Sequence, residues 1–263
     1  MQWNGHSGDA WAQAQDLLDA LFRPLENLLV APLTGGDVLD VGCGTGSTTH
    51  AAARALGHCT GVDVSARMID AARARGGPAT FLHADAQEHP FAPASYDVIM
   101  SRFGVMFFAD PVRAFTNLHR AARPGAALRC VVWRSAADNP FMTTAERAAA
   151  PLLPDLPVRR PDGPGQFAFA DPDVVTPILR TAGWSDVGLA PIDVECTMPA
   201  SELTGYFTRL GPVGLTLAGP GVDDAIRAAV IDAVRPAFAP FVHGDRVRFT
   251  AACWLLTARN SPS

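Results

Sequence analysis

The segment DVLDVGCGTGSTTH, residues 37–50, combines an apolar run with three glycines set two residues apart and a run of small residues. The apolar run predicts a buried strand, and the small residues predict the start of a helix. A turn with so little side-chain volume allows close approach to the backbone. The segment therefore predicts a ligand-binding turn between a strand and a helix.

Strand and helix patterns alternate on the C-terminal side of this turn, and an amphipathic helix is predicted before it over 9–31, with Asp9 or Ser7 as its N-cap. Such alternation is typical of right-handed strand–helix–strand units and a parallel sheet covered on both faces. The predicted strands are 37–41, 59–63, 79–83, 96–101, 127–133, 186–196 and 246–256. The predicted helices that follow the first one are 46–56, 65–75, 111–122, 171–182 and 222–236.

Two irregular segments rich in proline and glycine interrupt this pattern. We predict an N-terminal helical cap (1–34), a ligand-binding core (35–134), a lid insertion (135–172) and a C-terminal part of the core (173–263) with a second cap segment near 199–221. Aromatic side chains that could close over the strand ends are Trp3, Trp11, Phe103, Phe107, Phe141, Phe167, Phe169, Phe207 and Phe241.

Composition narrows the possible partners of this 263-residue chain. The formal net charge is -5, and no basic patch indicates nucleic acid or an anionic membrane surface. The five cysteines are scattered, which favours neither a zinc site nor a disulfide framework. No stretch is apolar enough to span a membrane. We expect a cytoplasmic monomer or homodimer with a small-molecule partner and no metal.

The spacing of the three glycines helps to indicate which class of ligand the turn binds. Gly42, Gly44 and Gly46 form G-x-G-x-G, one residue shorter than the G-x-G-x-x-G of dinucleotide-binding turns. Asp40 stands at the predicted strand end just before them. A carboxylate there could meet the ammonium group of a ligand with an amino-acid head, directly or through water.

VLDVGCGTG resembles the nucleotide-loop signature of class I S-adenosylmethionine-dependent methyltransferases. Asp63 in GVDVS lies 17 residues after Gly46, and Asp85 in FLHADAQ follows the next strand, both at positions where this family carries acidic residues. FADPVRAFTNLHRAARPGA resembles the family's helix and turn before the fifth strand, although Ala126 stands where the family has a second glycine. The resemblance covers residues 37–133 specifically and implies a Rossmann-like, seven-stranded, mostly parallel sheet with helices on both faces, an N-terminal helix and inserted lid segments.

The resemblance also implies a role for each matching residue, with S-adenosylmethionine as the cofactor. Asp40 would address the ammonium group and Asp63 the ribose hydroxyls, while Asp85 and the backbone N–H of Ala86 would read adenine. The implied positions that complete the site are Gly42, Gly44 and Gly46 around the methionine part, Val64 and Met68 beside adenine and ribose, and Ser101 and Arg102 near the methyl group. For Met68 a helix-core role, and for Arg102 pairing with a carboxylate at a helix end, remain open.

The chemistry implied is in-line methyl transfer to an oxygen, nitrogen or carbon atom of an apolar or aromatic small molecule, and resembles that of ubiquinone and menaquinone biosynthesis enzymes. Such a reaction needs alignment and exclusion of water more than a protein nucleophile. If the acceptor must lose a proton, His6 and His243 are the candidate bases, because both lie in segments that could cover the site. His50 and His119 are predicted on surface helices.

Several alternatives remain at this level. Metal-assisted catechol methylation would need acidic ligands near the fourth strand end, where only Asp110 stands. The tetrapeptide DNPF, residues 138–141, is similar to a motif of DNA amino-methyltransferases, but it follows the fifth strand rather than the fourth and favours a turn that begins the lid. A nicotinamide-dependent oxidoreductase, a non-catalytic adenosylmethionine-binding protein and a macromolecule-modifying enzyme are the competing functions.

Overall fold

The computed structural model of the chain describes residues 14–157, 159 and 163–261. Its helices are α1 (Gln15–Val30), α2 (Ser47–Leu56), α3 (Ala66–Ala74), α4 (Pro111–Ala121), α5 (Pro140–Ala149), α6 (Pro172–Thr181), α7 (Leu203–Arg209), α8 (Gly211–Leu217) and α9 (Asp224–Ala237). Its strands are β1 (Val38–Val41), β2 (Cys59–Asp63), β3 (Ala79–His83), β4 (Tyr96–Arg102), β5 (Ala122–Trp133), β6 (Ser185–Pro199), β7 (Val242–His243) and β8 (Arg246–Arg259).

The main strands form one sheet in the order β3-β2-β1-β4-β5-β8-β6, and the two-residue β7 pairs with β8 outside this path. β1 to β5 run parallel to one another, whereas β8 runs antiparallel to both β5 and β6. The predicted Rossmann-like, mostly parallel sheet of seven long strands is confirmed, and β7 is an addition to it. Because parallel strands end at the same edge, the ends of β1, β2, β3 and β4 lie side by side.

Some predicted boundaries move for local reasons. The helix expected from residue 46 begins at Ser47, because Gly46 is left-handed with a φ of 82°. The helix expected from residue 222 begins at Asp224, because the Asp223 side chain caps it by accepting a 2.8 Å hydrogen bond from the Ile226 N–H. The strand expected over 127–133 already begins at Ala122. The predicted N-caps of the first helix, Asp9 and Ser7, lie outside the described residues.

β6 and β8 continue past the edge at which the parallel strands end. Trp133, the last residue of β5, is opposite Cys253 of β8, and β8 extends from there back to Arg246. On this extension Cys196 of β6 is opposite Phe249 of β8 and both are buried. Phe141 of α5 stacks on Phe249 with ring centres 3.9 Å apart. The two-stranded extension thus supports helices beyond the strand ends.

α1 packs its apolar side chains onto the sheet, and Leu21, Leu25 and Leu29 are fully buried. His50 is 5% exposed, and its Nε2 lies 3.0 Å from the Ala72 carbonyl oxygen, so the prediction that it lies on the surface is wrong. At His50, α2 has no solvent-exposed face, because α3 and Phe81 pack against it. Among the residues described, no helix is long and apolar enough to cross a membrane.

Candidate functional site

A pocket opens at the carboxyl end of β1, and the glycine turn forms its floor. It is lined from α1 by Gln15, Leu18, Asp19 and Phe22, from the glycine turn and α2 by Asp40, Gly42, Cys43, Gly44, Thr45 and Thr48, and from the end of β4 by Arg102 and Phe103. We call it the glycine-turn pocket. It unites Asp40, two of the predicted glycines and Arg102, while α1 supplies a wall that motif matching did not include.

Gly42 is required by both its backbone angle and its neighbour. Its φ is 67°, and a Cβ at this position would lie 2.6 Å from the Cα of Gly104. In the reverse direction, a Cβ on Gly104 would lie 2.5 Å from the Val41 carbonyl oxygen. The turn after β1 and the chain leaving β4 therefore touch through two glycines, of which Gly104 was not predicted. Its signal was the glycine directly after the fourth strand in SRFG.

Gly44 and Gly46 differ in what surrounds them. A Cβ on Gly44 would meet only the Met68 sulfur at 3.6 Å, whereas one on Gly46 would lie 2.8 Å from Phe81 and 3.0 Å from Ala72. The missing side chain of Gly46 therefore leaves space for Phe81 and Ala72. Gly44, by contrast, has space beside it and borders the pocket. This distinction among the three glycines was not visible from their spacing.

Asp40 is a buried carboxyl at the end of β1, with 1% of its surface exposed. The Thr49 hydroxyl donates a 2.7 Å hydrogen bond to its Oδ2. Burial raises the pKa of Asp40 to about 7, although the Thr49 hydrogen bond and the nearby Arg102 charge lower it. Among the described residues its Oδ1 has no hydrogen-bond partner, and Asp40 lines the pocket, so the carboxyl can bind a cationic group there.

Asp63 ends β2 and holds the glycine turn from the side. Its Oδ2 accepts a 2.9 Å hydrogen bond from the Gly44 N–H, and its Oδ1 accepts one of 2.8 Å from the Ser65 N–H. Burial raises the pKa of Asp63, while these backbone N–H groups oppose that shift. A carboxylate has about four acceptor positions, so two remain for hydroxyl groups of a ligand.

Asp85 follows β3 and shapes the loop behind it. Its Oδ1 accepts a 2.9 Å hydrogen bond from the Gln87 N–H, and its carbonyl oxygen accepts bonds from Glu88 and His89. Ala86 is 7% exposed, and the Asn117 side chain donates a 2.9 Å hydrogen bond to its carbonyl oxygen. The bend therefore has a structural role in addition to any contact with a ligand.

Val64 and Met68 flank the same corner, between Asp63 and the glycine turn. The Val64 carbonyl oxygen lies 3.1 Å from His83 Nε2, which joins the ends of β2 and β3. Met68 is 4% exposed with its sulfur beside Gly44, and its N–H donates to the Ser65 hydroxyl. Met68 therefore packs under the turn, and its thioether forms part of the surface on which the turn rests.

Ser101 and Arg102 close β4 in different ways. The buried Ser101 hydroxyl donates a 2.7 Å hydrogen bond to the Val41 carbonyl oxygen and accepts one of 3.1 Å from the Gly104 N–H. It therefore fixes the contact between the two glycines. The Arg102 guanidinium lines the pocket and donates a 3.3 Å hydrogen bond to the Phe22 carbonyl oxygen of α1. Burial lowers the pKa of Arg102, and the carboxylates of Glu26, Asp19 and Asp40 oppose this effect.

α1 is fastened beside the glycine turn by two further polar contacts. Arg75 forms a 2.7 Å ion pair with Asp19 of α1 and donates a 3.1 Å hydrogen bond to the Thr45 carbonyl oxygen. Glu26 of α1, which is buried, accepts a hydrogen bond from the Ser47 hydroxyl at the start of α2. These contacts join segments far apart in sequence, and the sequence carried no signal for them.

Aromatic rings continue the pocket wall from Phe22. The Phe103 ring stacks on Trp133 with centres 4.5 Å apart and an angle of 5° between the planes, and the Phe22 ring meets Phe103 edge-on. Phe103 has a left-handed φ of 70°, which turns the chain as it leaves β4. Phe22 and Phe103 line the glycine-turn pocket and Trp133 is buried, so the end of β4 brings aromatic side chains next to the glycine turn.

The candidate base His243 lies away from the glycine-turn pocket. His243 is exposed on β7, in a surface depression that it shares with Glu195, Arg248, Phe249 and Thr250 and that includes no residue of the glycine turn. His6, Trp3 and Trp11 lie outside the described residues. In the described ranges, no group of three or more His, Cys, Asp or Glu residues could hold a metal ion.

Asn139 of DNPF has a structural position. It is 1% exposed, its Oδ1 accepts a 3.0 Å hydrogen bond from the Ala252 N–H, and its Nδ2 donates one of 2.9 Å to the Ala252 carbonyl oxygen. The side-chain amide therefore binds both backbone groups of one β8 residue and pins the start of α5. The tetrapeptide thus lies at the start of α5, and the lid that it was predicted to begin stays a prediction.

Comparisons with known proteins place the chain in a family. The profile of the family described as "Methyltransferase domain" matches residues 39–130. A demethylmenaquinone methyltransferase of Roseiflexus sp. (strain RS-1) is 31% identical over 184 residues, which cover 65% of this chain and 76% of that protein. An O-methyltransferase of Aspergillus nomiae is 36% identical over 106 residues, 38% of this chain and 47% of that protein.

A solved structure gives the same result for the fold. Phosphoethanolamine N-methyltransferase 2 of Haemonchus contortus, in complex with S-adenosyl-L-methionine, superposes with a TM-score of 0.52 at 18% identity, covering 95% of this chain and 53% of that one. The chain belongs to the class I S-adenosylmethionine-dependent small-molecule methyltransferases, in their quinone-biosynthesis-like branch. Its cofactor is S-adenosylmethionine, and the resemblance of the glycine turn is confirmed.

Proposed function

We propose that the chain transfers the methyl group of S-adenosylmethionine to a neutral aromatic small molecule that carries a hydroxyl group. The observation that carries this proposal is the junction of two surfaces at the end of β4. On one side lie the glycine turn, Asp40 and Arg102, which suit a zwitterionic amino-acid group. On the other side lies the flat Phe103–Trp133 stack, which suits a planar acceptor.

The residues of the pocket fit the cofactor's chemical groups. Asp40 would bind the ammonium group and Arg102 the carboxylate of the methionine part, because each is a buried charge that lines the same pocket. The open side of Gly44 leaves room for this part next to the turn. Asp63 would bind the ribose hydroxyls with the acceptor positions that Gly44 and Ser65 leave unused.

The loop after β3 would bind the adenine end of the cofactor. Asp85 and the Ala86 N–H would bind the adenine edge, with Val64 and Met68 beside the ring and ribose. The Asn117 bond to the Ala86 carbonyl oxygen would hold this loop in place. Ser101 would act indirectly, by fixing Val41 against Gly104 under the methionine part.

The protein's contribution to the reaction is alignment and exclusion of water. When bound, the cofactor supplies an electrophilic methyl group on a sulfonium centre. Phe22, Phe103 and Trp133 would hold an acceptor ring flat beside the pocket and keep water from it. Burial of an acceptor against rings adds about 25 cal/mol for each Å² of apolar surface removed from water.

The proposed acceptor is neutral because the charged groups around the pocket are paired with one another or assigned to the cofactor. Arg102 faces the carboxylates of Glu26, Asp19 and Asp40, and Asp19 is paired with Arg75. The names of the relatives support an aromatic or quinol-type acceptor, since they include demethylmenaquinone methyltransferase and an O-methyltransferase. An oxygen or a ring carbon activated by an adjacent oxygen is the proposed methyl-accepting atom.

The test is transfer of labelled methyl from S-adenosylmethionine to a panel of hydroxylated naphthalenes, hydroxylated aliphatic chains and anionic phenol carboxylates. We expect label in products of the neutral aromatic members. Label in none of the panel, although the protein binds S-adenosylhomocysteine by calorimetry, would support a non-catalytic binding protein instead. Binding of NAD alone would support an oxidoreductase.

A further inference from the structure

Tyr206 lies in the cap region, outside the glycine-turn pocket, and within the described part of the chain its hydroxyl group bonds only to a weak acceptor. We propose that the Tyr206 hydroxyl donates a hydrogen bond to an oxygen atom of the acceptor and thereby selects oxygenated rings. This inference rests on the proposed transfer to an aromatic small molecule and deepens it. No sequence motif pointed to this residue.

Tyr206 belongs to a cluster of aromatic rings above the extension of β6 and β8. Its ring centre lies 5.5 Å from that of Phe141, which stacks on Phe249 at 3.9 Å. Phe238 and Phe241 also meet Phe141, at 5.1 and 5.2 Å. We call this group the cap aromatic cluster: Phe141, Tyr206, Phe207, Phe238, Phe241 and Phe249.

The hydroxyl of Tyr206 is the one polar atom that the ring of this residue brings to the cluster. It donates a 3.6 Å hydrogen bond to the Met142 sulfur, and thioether sulfur is a weak acceptor. Buried tyrosine hydroxyl groups ordinarily have an oxygen or nitrogen partner, since a missing strong bond costs about 1–3 kcal/mol. Part of Tyr206 is also accessible to solvent, so a ligand oxygen can replace the sulfur as its partner.

The protonation state of Tyr206 decides which kind of partner it accepts. Burial raises the pKa of Tyr206, and this effect is larger than that of the Arg159 charge, which lowers it. The phenol therefore stays neutral and acts as a hydrogen-bond donor, not as a base. Its complement is a carbonyl, ether or hydroxyl oxygen that can accept a bond.

The register of the sheet relates Tyr206 to the glycine-turn pocket. Trp133 is opposite Cys253, and Phe249 lies four residues away on β8, therefore on the same face of the strand. At about 3.4 Å per residue, the side chains of Trp133 and Phe249 are roughly 13 Å apart along the strand direction. An acceptor with two fused rings and a substituent can reach from the Phe103–Trp133 stack towards the cap aromatic cluster.

Two further contacts connect the cap with the exit of β4. The Gly165 N–H of the lid segment donates a 3.0 Å hydrogen bond to the carbonyl oxygen of Met106, which lies in the turn after Gly104. The Cys196 side chain on the extension lies within electrostatic range of both Arg102 and Tyr206. These two relations support placing Tyr206 on the acceptor side of the glycine-turn pocket.

The charges near Tyr206 are matched, which favours an uncharged ligand. The Arg159 Nε donates a 2.8 Å hydrogen bond to Glu146 Oε2, its second terminal nitrogen binds Oε1, and a third bond of 2.8 Å goes to Gln166. The guanidinium also lies 4.9 Å from the centre of the Phe167 ring. Since Arg159 already has carboxylate and amide partners, the group left to select a neutral ligand is the hydroxyl of Tyr206.

The experiment compares α-naphthol with naphthalene as probes, by calorimetry in the presence of saturating S-adenosylhomocysteine. We expect Tyr206→Phe to weaken α-naphthol binding roughly threefold to tenfold, the worth of a neutral hydrogen bond, and to leave naphthalene binding unchanged. The matched control is Tyr96→Phe, because the chain has 2 tyrosines and Tyr96 lies at the opposite end of β4. It should alter neither affinity.

Each other result overturns the inference. Equal losses for both probes would indicate that Tyr206 only packs, and unchanged α-naphthol binding would remove its hydroxyl from recognition. Failure of the wild-type protein to bind either probe would mean that no acceptor site for fused rings exists beside Tyr206. The proposed function has its own readout, because methyl transfer to the wider panel and S-adenosylhomocysteine binding are measured separately with the wild-type protein.

Discussion

Different kinds of interaction stabilise the glycine turn and the cap, by which we mean the segments that carry the cap aromatic cluster. In the glycine turn, backbone groups, small residues and carboxylates are fixed within about 3 Å of each other, as in the bond from Gly44 to Asp63. In the cap, aromatic rings pack around Phe141 with ring centres 3.9–5.5 Å apart. The first arrangement tolerates one ligand shape, and the second tolerates many.

This difference suits a family in which one cofactor serves many acceptors. Hydrogen-bond geometry in the turn is lost when a residue moves by a fraction of an ångström. Ring packing in the cap allows replacement of one apolar side chain by another of similar volume at a cost below about 1.5 kcal/mol. Substitutions should therefore separate the two regions, and the following four are ordered by the size of their expected effects.

The largest effect is expected from Gly42→Ala. The new methyl group would meet Gly104 at 2.6 Å and the backbone is left-handed, so we expect a loss of about 3 kcal/mol or more in the free energy of unfolding and no measurable cofactor binding. Gly57→Ala is the matched control, because its φ is 93° but nothing lies within 4 Å. It should cost about 1 kcal/mol. Similar losses in urea denaturation would show that backbone strain, not the glycine contact, matters.

Asp63→Ala should lower the affinity for S-adenosylmethionine roughly 10–100-fold, because a charged acceptor of two hydroxyl bonds is lost. It also frees the Gly44 N–H, so the turn itself should loosen. Calorimetry with S-adenosylhomocysteine measures the affinity, and Asp70→Ala, at a side chain 75% exposed on α3, is the control. An unchanged affinity would remove Asp63 from the cofactor site.

Asn139→Ala tests the cap alone. Loss of the amide leaves the Ala252 N–H without its partner, so we expect a destabilisation of about 1–3 kcal/mol and slower methyl transfer. Affinity for S-adenosylhomocysteine should stay within about twofold, because additivity holds for distant sites. The exposed Asn27→Ala is the control for the loss of an amide. A parallel loss of cofactor affinity would show that the two regions are one unit.

The smallest effects are expected from Asp40→Asn, and they have opposite signs for stability and binding. The folded-state pKa of Asp40 is raised from 3.8 to about 7, so its contribution to stability is complete below pH 3.8 and is lost as the pH rises through 7. The amide has no charge to bury. Between pH 4 and 8 the variant should therefore gain stability relative to the wild type, by about 1 kcal/mol or more.

Binding should respond in the other direction. An ammonium ligand needs the Asp40 carboxylate, so cofactor affinity of the wild type should fall as the pH is lowered below about 7. Asp40→Asn should bind about tenfold more weakly at pH 8 and show little of this pH dependence. Thermal unfolding and calorimetry across this pH range measure both effects. A variant that is less stable than the wild type at pH 8 would contradict the assigned burial cost.

The strand ends were predictable from sequence because the signals are local. Alternating apolar runs located β1 to β4, and Asp40, Asp63 and Asp85 each follow from their position at a strand end. Gly104 was missed, because its need for glycine arises from Gly42 across the sheet and not from its neighbours in sequence. His50 was misjudged because the alanine-rich pattern of α2 does not show which face α3 covers.

From the sequence, the cap was predicted only as a set of segments that could cover the strand ends. Composition placed Phe141 and Phe207 in the two proline-rich segments, and in the structure Phe141 packs against Phe241, while Phe207 and Phe241 both pack against Phe238. Phe169 instead stacks on Phe115 of α4. The pairing of Phe141 with Phe249 and the position of Tyr206 depend on contacts between distant segments, for which a single sequence gives no periodic signal.

The fastening of α1 has a consequence for the rate of turnover. α1 forms a wall of the glycine-turn pocket, and the Arg75–Asp19 ion pair at 2.7 Å helps to hold it there. Each cycle must exchange spent cofactor for fresh, and that exchange is easiest when α1 moves away from the turn. Since salt screens partly exposed ion pairs, the residence time of the product should shorten as ionic strength rises. The enzyme's speed would then depend on Arg75, an exposed residue that does not itself line the glycine-turn pocket.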